Sequence, residues 1–246
     1  MDIRESEGAL NHEFEMDHWW IRTRFCYIDR LLADQSAPFN VLEAGCGTAQ
    51  NLHYLRQQSR YRDQVNKVVG FDSALSNASA NWLTDSDALL TQPPDTTAHF
   101  NVLLAMDLLE HIQDPAAALK QWLPLLTPDA RVLITVPAFQ QLWSYHDEQL
   151  GHYRRYTVES LLKLAEEAGL RPVSCHYVFS YLYPAVWLLR RWRQQQENRA
   201  SSDLQPTAEP LNTLLYSAGW LEAKLGGNRW LGTSVVGVFE LNQGIK

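Results

Sequence analysis

The sequence predicts an α/β fold: an open, doubly wound and mostly parallel sheet with helices on both faces. Three observations carry this prediction. Short apolar runs bounded by polar or turn residues recur along the middle of the chain, helical patterns fall between them, and the first run enters a helix through a pair of glycines.

The strands are NVLEAGCG (40–47), KVVGFD (67–72), HFNVLLAMD (99–107) and ARVLITVP (130–137), each apolar on both sides as buried parallel strands are. A short third strand is expected just before Asp87. PAAALKQWLPLL (115–126) and VESLLKLAEEAG (158–169) have helical period, the second with Thr157 as N-cap and Gly169 just past its end. RPVSCHYVF (171–179) and TSVVGVFEL (233–241) add two closing strands, giving a seven-stranded sheet.

Between those last two runs lies an insertion at about 181–230. YPAVWLLRRWRQQQ (183–196) starts a helix at Pro184, with Ala185, Leu188, Leu189 and Trp192 on one face. NRASSDLQPTAEP (198–210) has loop composition, and PLNTLLYSAGWLEAKL (210–225) sets Leu211, Leu214, Leu215, Ala218, Leu221 and Leu225 at helical spacing as the face to bury. Trp187, Trp192, Arg190, Arg191 and Arg193 make segment 183–196 basic and amphipathic. That suits packing as a lid, a homodimer contact or a peripheral membrane contact.

With 246 residues and 46% apolar content, the chain can bury one large core. A formal charge of −7 argues against general affinity for nucleic acid. Cys26, Cys46 and Cys175 are widely spaced and form no CxxC pair, which argues against a disulfide framework and fits a reducing compartment. The polar, acidic start MDIRESEGALNHEFEMD is unlike a signal peptide, and no apolar run approaches the roughly 20 residues of a spanning helix. The expected location is the cytoplasm, with possible attachment to the inner membrane face.

VLEAGCGTAQNL (41–52) carries the clearest chemistry: Gly45 and Gly47 let the backbone turn sharply and approach a ligand closely. A dinucleotide fingerprint would place a third glycine where Gln50 stands, which counts against a nicotinamide or flavin cofactor, as does the lack of a Tyr-x-x-x-Lys pair. The second strand ends at Asp72, where a carboxylate can accept from both hydroxyls of a ribose.

EAGCGTA, GFD, SDALL, LLEHIQDP (108–115), ITVPAF (134–139) and WSYHDEQLGHYRRYT together resemble the class I S-adenosylmethionine-dependent methyltransferases, in their bacterial type 11/12 branch, over about residues 12–179. HWWIRTR (18–24) is similar to that branch's aromatic and arginine-bearing first helix, so the resemblance implies an N-terminal helical cap over the cofactor at 1–36, followed by the methyltransferase domain at 37–246. One departure is Ala49, where the family has a glycine. The resemblance implies S-adenosyl-L-methionine as cofactor, with Gly45 and Gly47 under its methionine moiety, Asp72 and Ser73 at the ribose, and Asp87 with the backbone of Ala88 at the adenine. Met106, Glu43, Trp20 and Arg24 complete the cofactor set. Cys46 stands between the glycines for its size, with no chemistry assigned.

Ligands of open α/β sheets bind at the carboxyl ends of the strands, which places DLLEHI and PAFQQLWSYHDEQLGHYRRY beside the transferred methyl group. Asp107, Glu110, His111, His146 and His152 are the titratable residues there, and His111 and His146 are the candidates for proton transfer. His152, Arg154, Arg155 and Tyr156 are candidates for holding the acceptor; one arginine is expected to staple the loop to Asp147 or Glu148 and the other to meet substrate. A metal site at His146, Asp147 and His152 is set aside, because a spacing of six does not stack two ligands on one helical face. The expectation is therefore a methyltransferase without metal, acting on a small-molecule or lipid-related acceptor. The alternative is an S-adenosylmethionine-binding partner or regulatory protein without catalysis.

Overall fold

The computed structural model describes residues 16–75, 81–94, 99–193 and 207–242. Helix α1 (Trp19–Ala33) leads into β1 (Phe39–Ala44), α2 (Gln50–Gln57), β2 (Val65–Phe71), β3 (Ala88–Leu90) and β4 (Phe100–Met106). Then come α3 (Pro115–Trp122), β5 (Leu126–Pro137), the short α4 (Tyr145–Gln149), α5 (Val158–Ala168), β6 (Leu170–Val178), α6 (Tyr183–Arg193), α7 (Glu209–Leu225) and β7 (Ser234–Leu241). The seven strands lie in the order β3-β2-β1-β4-β5-β7-β6, with β7 antiparallel to both neighbours and the other pairings parallel.

Strand alternation divides the core between the two faces of the sheet. Val41, Val102, Leu104 and Met106 pack against α1 and α2, while Leu42, Ala44, Leu103 and Ala105 pack against Leu119 and Trp122 of α3 and Leu161 and Ala165 of α5. Local signals set several boundaries as expected. The Asp114 side chain accepts from the Ala117 amide at 3.0 Å to open α3, Thr157 and Ser160 cap α5 reciprocally, and Gly169 closes α5 in the left-handed region.

The third strand follows Asp87 rather than preceding it. Its three residues pair with Val69, Gly70 and Phe71, and a strand this short carries too little periodicity to be placed from sequence.

The insertion also differs from expectation. The 198–206 part of the expected loop and Gln194–Gln196 lie outside the described residues. Within α7, the stripe expected to be buried is the outer one: Leu211, Leu214, Leu221 and Leu225 are exposed, whereas Asn212, Gly219 and Ala223 are buried. The reason is α1. Its Thr23 packs so tightly on Gly219 that a β-carbon there would sit 2.6 Å from the Thr23 hydroxyl oxygen, and Asn212 accepts from the Trp19 amide at 2.8 Å. Helices that approach this closely need small residues at the contact, so the small-residue face turns inward and the leucines stay outside. Glu222, also on α7, accepts from the amides of Phe179 and Ser180 and ties the insertion to the end of β6.

Candidate active site

Every non-glycine residue with positive φ among the described residues lies just beyond a strand's carboxyl end: Ala49 (φ 60) after β1, Asp107 (φ 51) after β4, Phe139 (φ 55) after β5 and Phe179 (φ 57) after β6. Left-handed backbone costs on the order of 1–2 kcal/mol for a residue with a β-carbon, and such strain collects where function demands a particular geometry. These turns mark the same edge that the topology selects.

The glycine loop is built around Asp72. Its carboxylate accepts from the Gly47 amide and from the Ala74 amide, both at 2.9 Å, so it pins the turn after β1 to the end of β2. Gly45 (φ +68) lies against Leu108, where an added β-carbon would sit 2.5 Å from that side chain. The need for glycine at this position is thus conformational and steric, and Leu108 fills the space above it. Ala49 does require positive φ, so the alanine that departs from the family pattern sits in a strained conformation. Cys46 is buried against Gly70, in keeping with a packing role.

Glu43 and Asn51 lie beneath this loop. Asn51 donates to Glu43 Oε1 at 2.6 Å, while Oε2 is buried without a hydrogen-bond partner. Burial raises the Glu43 carboxyl to about 7; the Asn51 hydrogen bond and the charge of Arg24 oppose the rise without cancelling it.

From α1, Trp20, Arg24 and Tyr27 line a cavity with Asp107, Thr135 and Phe179. The Arg24 guanidinium lies over the Trp20 ring at 4.8 Å and is 3.7 Å from Asp107, and its Nε is buried without a partner. Met106 is buried on the α1 side of the sheet, and its carbonyl lies 3.4 Å from Arg24. The structure thus brings Trp20, Arg24 and Met106 to one edge of the sheet. Ser73 is exposed beside Asp72.

Asp87 does not join them. Its carboxylate accepts from Arg56 Nε at 2.9 Å, the Val68 amide at 2.8 Å and the Thr84 amide at 2.9 Å. Burial works against its ionisation, and the hydrogen bonds from Arg56, Thr84 and Val68 outweigh it and lower the pKa. Arg56 in turn reaches the carbonyls of Val65 and Asn66, so this group braces the amino end of β2, opposite the glycine loop. The adenine role that the resemblance implies for Asp87 needs β3 to end there. With β3 after it, both Asp87 and Ala88 stand at the wrong end of the strand for that task.

The loops after β4 and β5 are joined to each other. The Tyr153 amide donates to the Glu110 carbonyl at 2.7 Å, the Tyr156 hydroxyl to the Leu109 carbonyl at 3.1 Å, and Arg154 to the Gln113 carbonyl at 2.8 Å. Asp147 is the hub of the second loop. It is completely buried and takes Arg155 in a bidentate pair at 2.7 and 3.0 Å, His152 Nδ1 at 2.9 Å and the Ser144 amide at 2.8 Å. Burial alone would raise its pKa, but the hydrogen bonds from His152 and Arg155 prevail and hold it well below the usual carboxylate range.

These contacts decide which arginine is the staple: Arg155 closes the loop on Asp147. Arg155 and the buried Tyr156 were expected at the acceptor and are instead committed to loop structure, since their polar groups are satisfied internally. Arg154, half-buried, has one nitrogen on the Gln113 carbonyl.

The structure pairs His111 with His152. The two rings are 4.5 Å apart and nearly perpendicular, and Glu110 lies with them. Glu110 is 1% exposed, and burial together with the nearby charge of Asp107 pushes its carboxyl well above the ordinary range. His146, on α4, is half-buried and outside this group. Sequence spacing could not join Glu110 to His152 because the backbone contact between Tyr153 and Glu110 crosses two loops.

The family model for the methyltransferase domain matches residues 16–175. Compared with curated proteins, the chain finds no match by sequence. Among solved structures it is similar to a chain of the complex between the Haloferax volcanii Trm112 methyltransferase activator and the putative methyltransferase (15% identity, TM-score 0.59, covering 95% of this chain and 93% of that one). It is also similar to the Burkholderia thailandensis 1,6-didemethyltoxoflavin-N1-methyltransferase, solved with 1,6-didemethyltoxoflavin and S-adenosylhomocysteine (18%, 0.56, 90% and 79%). A third similar structure is the [4+2]-cyclase SpnF (18%, 0.55, 90% and 81%). With the family model covering most of the domain and the strand order, glycine loop and strand-end turns in place, the chain belongs to the methyltransferase domain family.

Proposed function

We propose that this chain transfers the methyl group of S-adenosylmethionine to a small or lipid-related acceptor held between the loops after β4 and β5. The observation that carries the reading is Glu43. A buried carboxylate oxygen without a partner, beside a glycine turn, suits the ammonium of the cofactor's methionine moiety. Asp72 is placed to share its carboxylate with a ribose diol, and Trp20 and Arg24 wall the same edge.

The cofactor supplies a methyl group on a positively charged sulfur. The protein's part is to align an acceptor atom with that methyl and, where the acceptor carries a proton, to remove it. His152 is oriented for that step. Ionised Asp147 can only accept, so Nδ1 of His152 donates to it and Nε2 is the ring nitrogen left to meet an acceptor. His111, one of the two candidates chosen from sequence, lies next to it, and His146, the other, lies on α4.

A lipid-related acceptor is favoured by the surface beside these loops. Helix α6 is anchored to them by Arg190, which bonds the Leu142 carbonyl and lies 3.6 Å from Asp147. It exposes Trp187, Leu188, Leu189 and Trp192, with Arg191 over the Trp187 ring at 5.8 Å. Sedimentation with anionic vesicles, comparing wild type with R191E, tests this part, and equal failure of both proteins to bind would remove it.

Calorimetry with S-adenosylmethionine, S-adenosylhomocysteine and NAD tests the cofactor, and binding of NAD alone would overturn the main reading. A screen of methyl acceptors in cell extract with labelled cofactor tests the reaction. Tight cofactor binding with no labelled product would favour the partner or regulatory role.

A further inference from the structure

We propose that Glu110, His111 and His152 form a binding site for a divalent transition-metal ion beside the acceptor pocket. One ligand atom from each lies within 4.8 Å of the other two. A tetrahedral zinc-like ion with ligands at about 2.0–2.2 Å spaces neighbouring ligand atoms about 3.4 Å apart, so movements of about 1 Å close the site. Two loops supply the ligands, and their backbones are already joined through the Tyr153 amide and the Glu110 carbonyl.

Two further observations point to a cation. Glu110 is buried, and its Oε2 has no hydrogen-bond partner, a costly arrangement for a carboxylate unless something positive meets it. The two nearest arginines favour its ionised form by their charge, but neither hydrogen-bonds Oε2: Arg155 is in its bidentate pair with Asp147, and Arg24 lies 3.7 Å from Asp107. In addition, His152 already has the outer partner that metal-binding histidines require. Asp147 holds Nδ1, fixing the ring and its tautomer and directing the lone pair to Nε2, while Arg155 and Ser144 fix Asp147.

Two imidazoles and one carboxylate suit zinc, cobalt or iron better than magnesium or calcium, which prefer oxygen ligands. Three protein ligands leave a coordination position open for an oxygen or nitrogen of a small molecule. That this molecule is the methyl acceptor rests on the methyl-transfer reading, and an ion held there would take over from His152 the task of easing the acceptor's proton loss; the metal site itself does not rest on that reading. The spacing that excluded His146, Asp147 and His152 as ligands still holds, because the structure recruits partners for His152 from the other loop.

The test uses the full chain stripped of metal by a chelator. Cobalt(II) is titrated while visible absorption is followed, and zinc(II) is titrated by calorimetry. One equivalent of each is expected, zinc displacing cobalt, with E110Q and H111Q each weakening binding at least about tenfold. Both substitutions keep side-chain size, and circular dichroism checks that the variants fold. Failure of wild type to bind one equivalent, or an E110Q/H111Q double variant that binds as tightly as wild type, would overturn the proposal. S-adenosylmethionine binding is measured on the same stripped protein. Cofactor binding without metal binding would remove only the metal site, and metal binding without cofactor binding would remove only the methyl-transfer reading.

Discussion

Asp147, completely buried, and Arg155 form a bidentate ion pair, with Arg155 Nε 2.7 Å from Oδ1 and a terminal nitrogen 3.0 Å from Oδ2. The pair closes the loop after β5 and also sets the orientation of His152, which shares Oδ1. Removing one partner leaves the other charged and dry, which typically costs about 3–5 kcal/mol. D147A should therefore lower stability by that order in denaturant titration. R155K should lose the bidentate geometry and a smaller part of the stability. A loss under 1 kcal/mol in D147A would show that the pair does not hold this loop.

Glu43 gives a pH signature. Its folded pKa of about 7 lies above the unfolded value, so between those values the folded state binds more protons than the unfolded chain. Stability contributed by the protonated carboxyl is present below about pH 4 and is lost as pH rises through 7, about 3 kcal/mol in all. Cofactor affinity should change in the opposite sense, rising with pH as Glu43 ionises to meet an ammonium. E43Q should flatten both profiles, checked by unfolding and by calorimetry between pH 5 and 8 as ranges of about that width.

Asp72 and Asp87 should separate by phenotype. D72A removes hydrogen bonds from the glycine loop and the expected ribose contact, so cofactor affinity should fall about 10- to 100-fold. D87N leaves the partly buried Arg56 without its counter-charge and should lower stability by about 1–3 kcal/mol while changing cofactor affinity by less than about threefold. The reverse pattern would place the adenine at Asp87 after all.

The contact between α1 and α7 depends on Gly219. A β-carbon there would meet Thr23, whose hydroxyl is held by the Trp19 carbonyl at 2.7 Å and cannot easily retreat. G219A should cost about 1–3 kcal/mol by overpacking, despite alanine's better helix propensity. Thermal unfolding of G219A, compared with G219A/T23A, checks this; the double variant should recover part of the loss.

Much of the molecule was determined by sequence acting locally. Apolar runs with no polar face specified buried parallel strands, Thr157 and Gly169 bounded α5, and the turn at Gly45 and Gly47 pointed to the carboxyl edge as the site. These are short-range effects, written in neighbouring residues. Only the tertiary structure decided the rest. It decided that the three-residue β3 follows Asp87, that α7 turns its small residues to α1 and leaves its leucines outside, that Arg155 rather than Arg154 staples the loop, and that His152 meets Glu110 and His111. In each case the deciding contact joins residues distant in the chain, and hydrophobic period says which side chains can be buried without saying which neighbour will bury them.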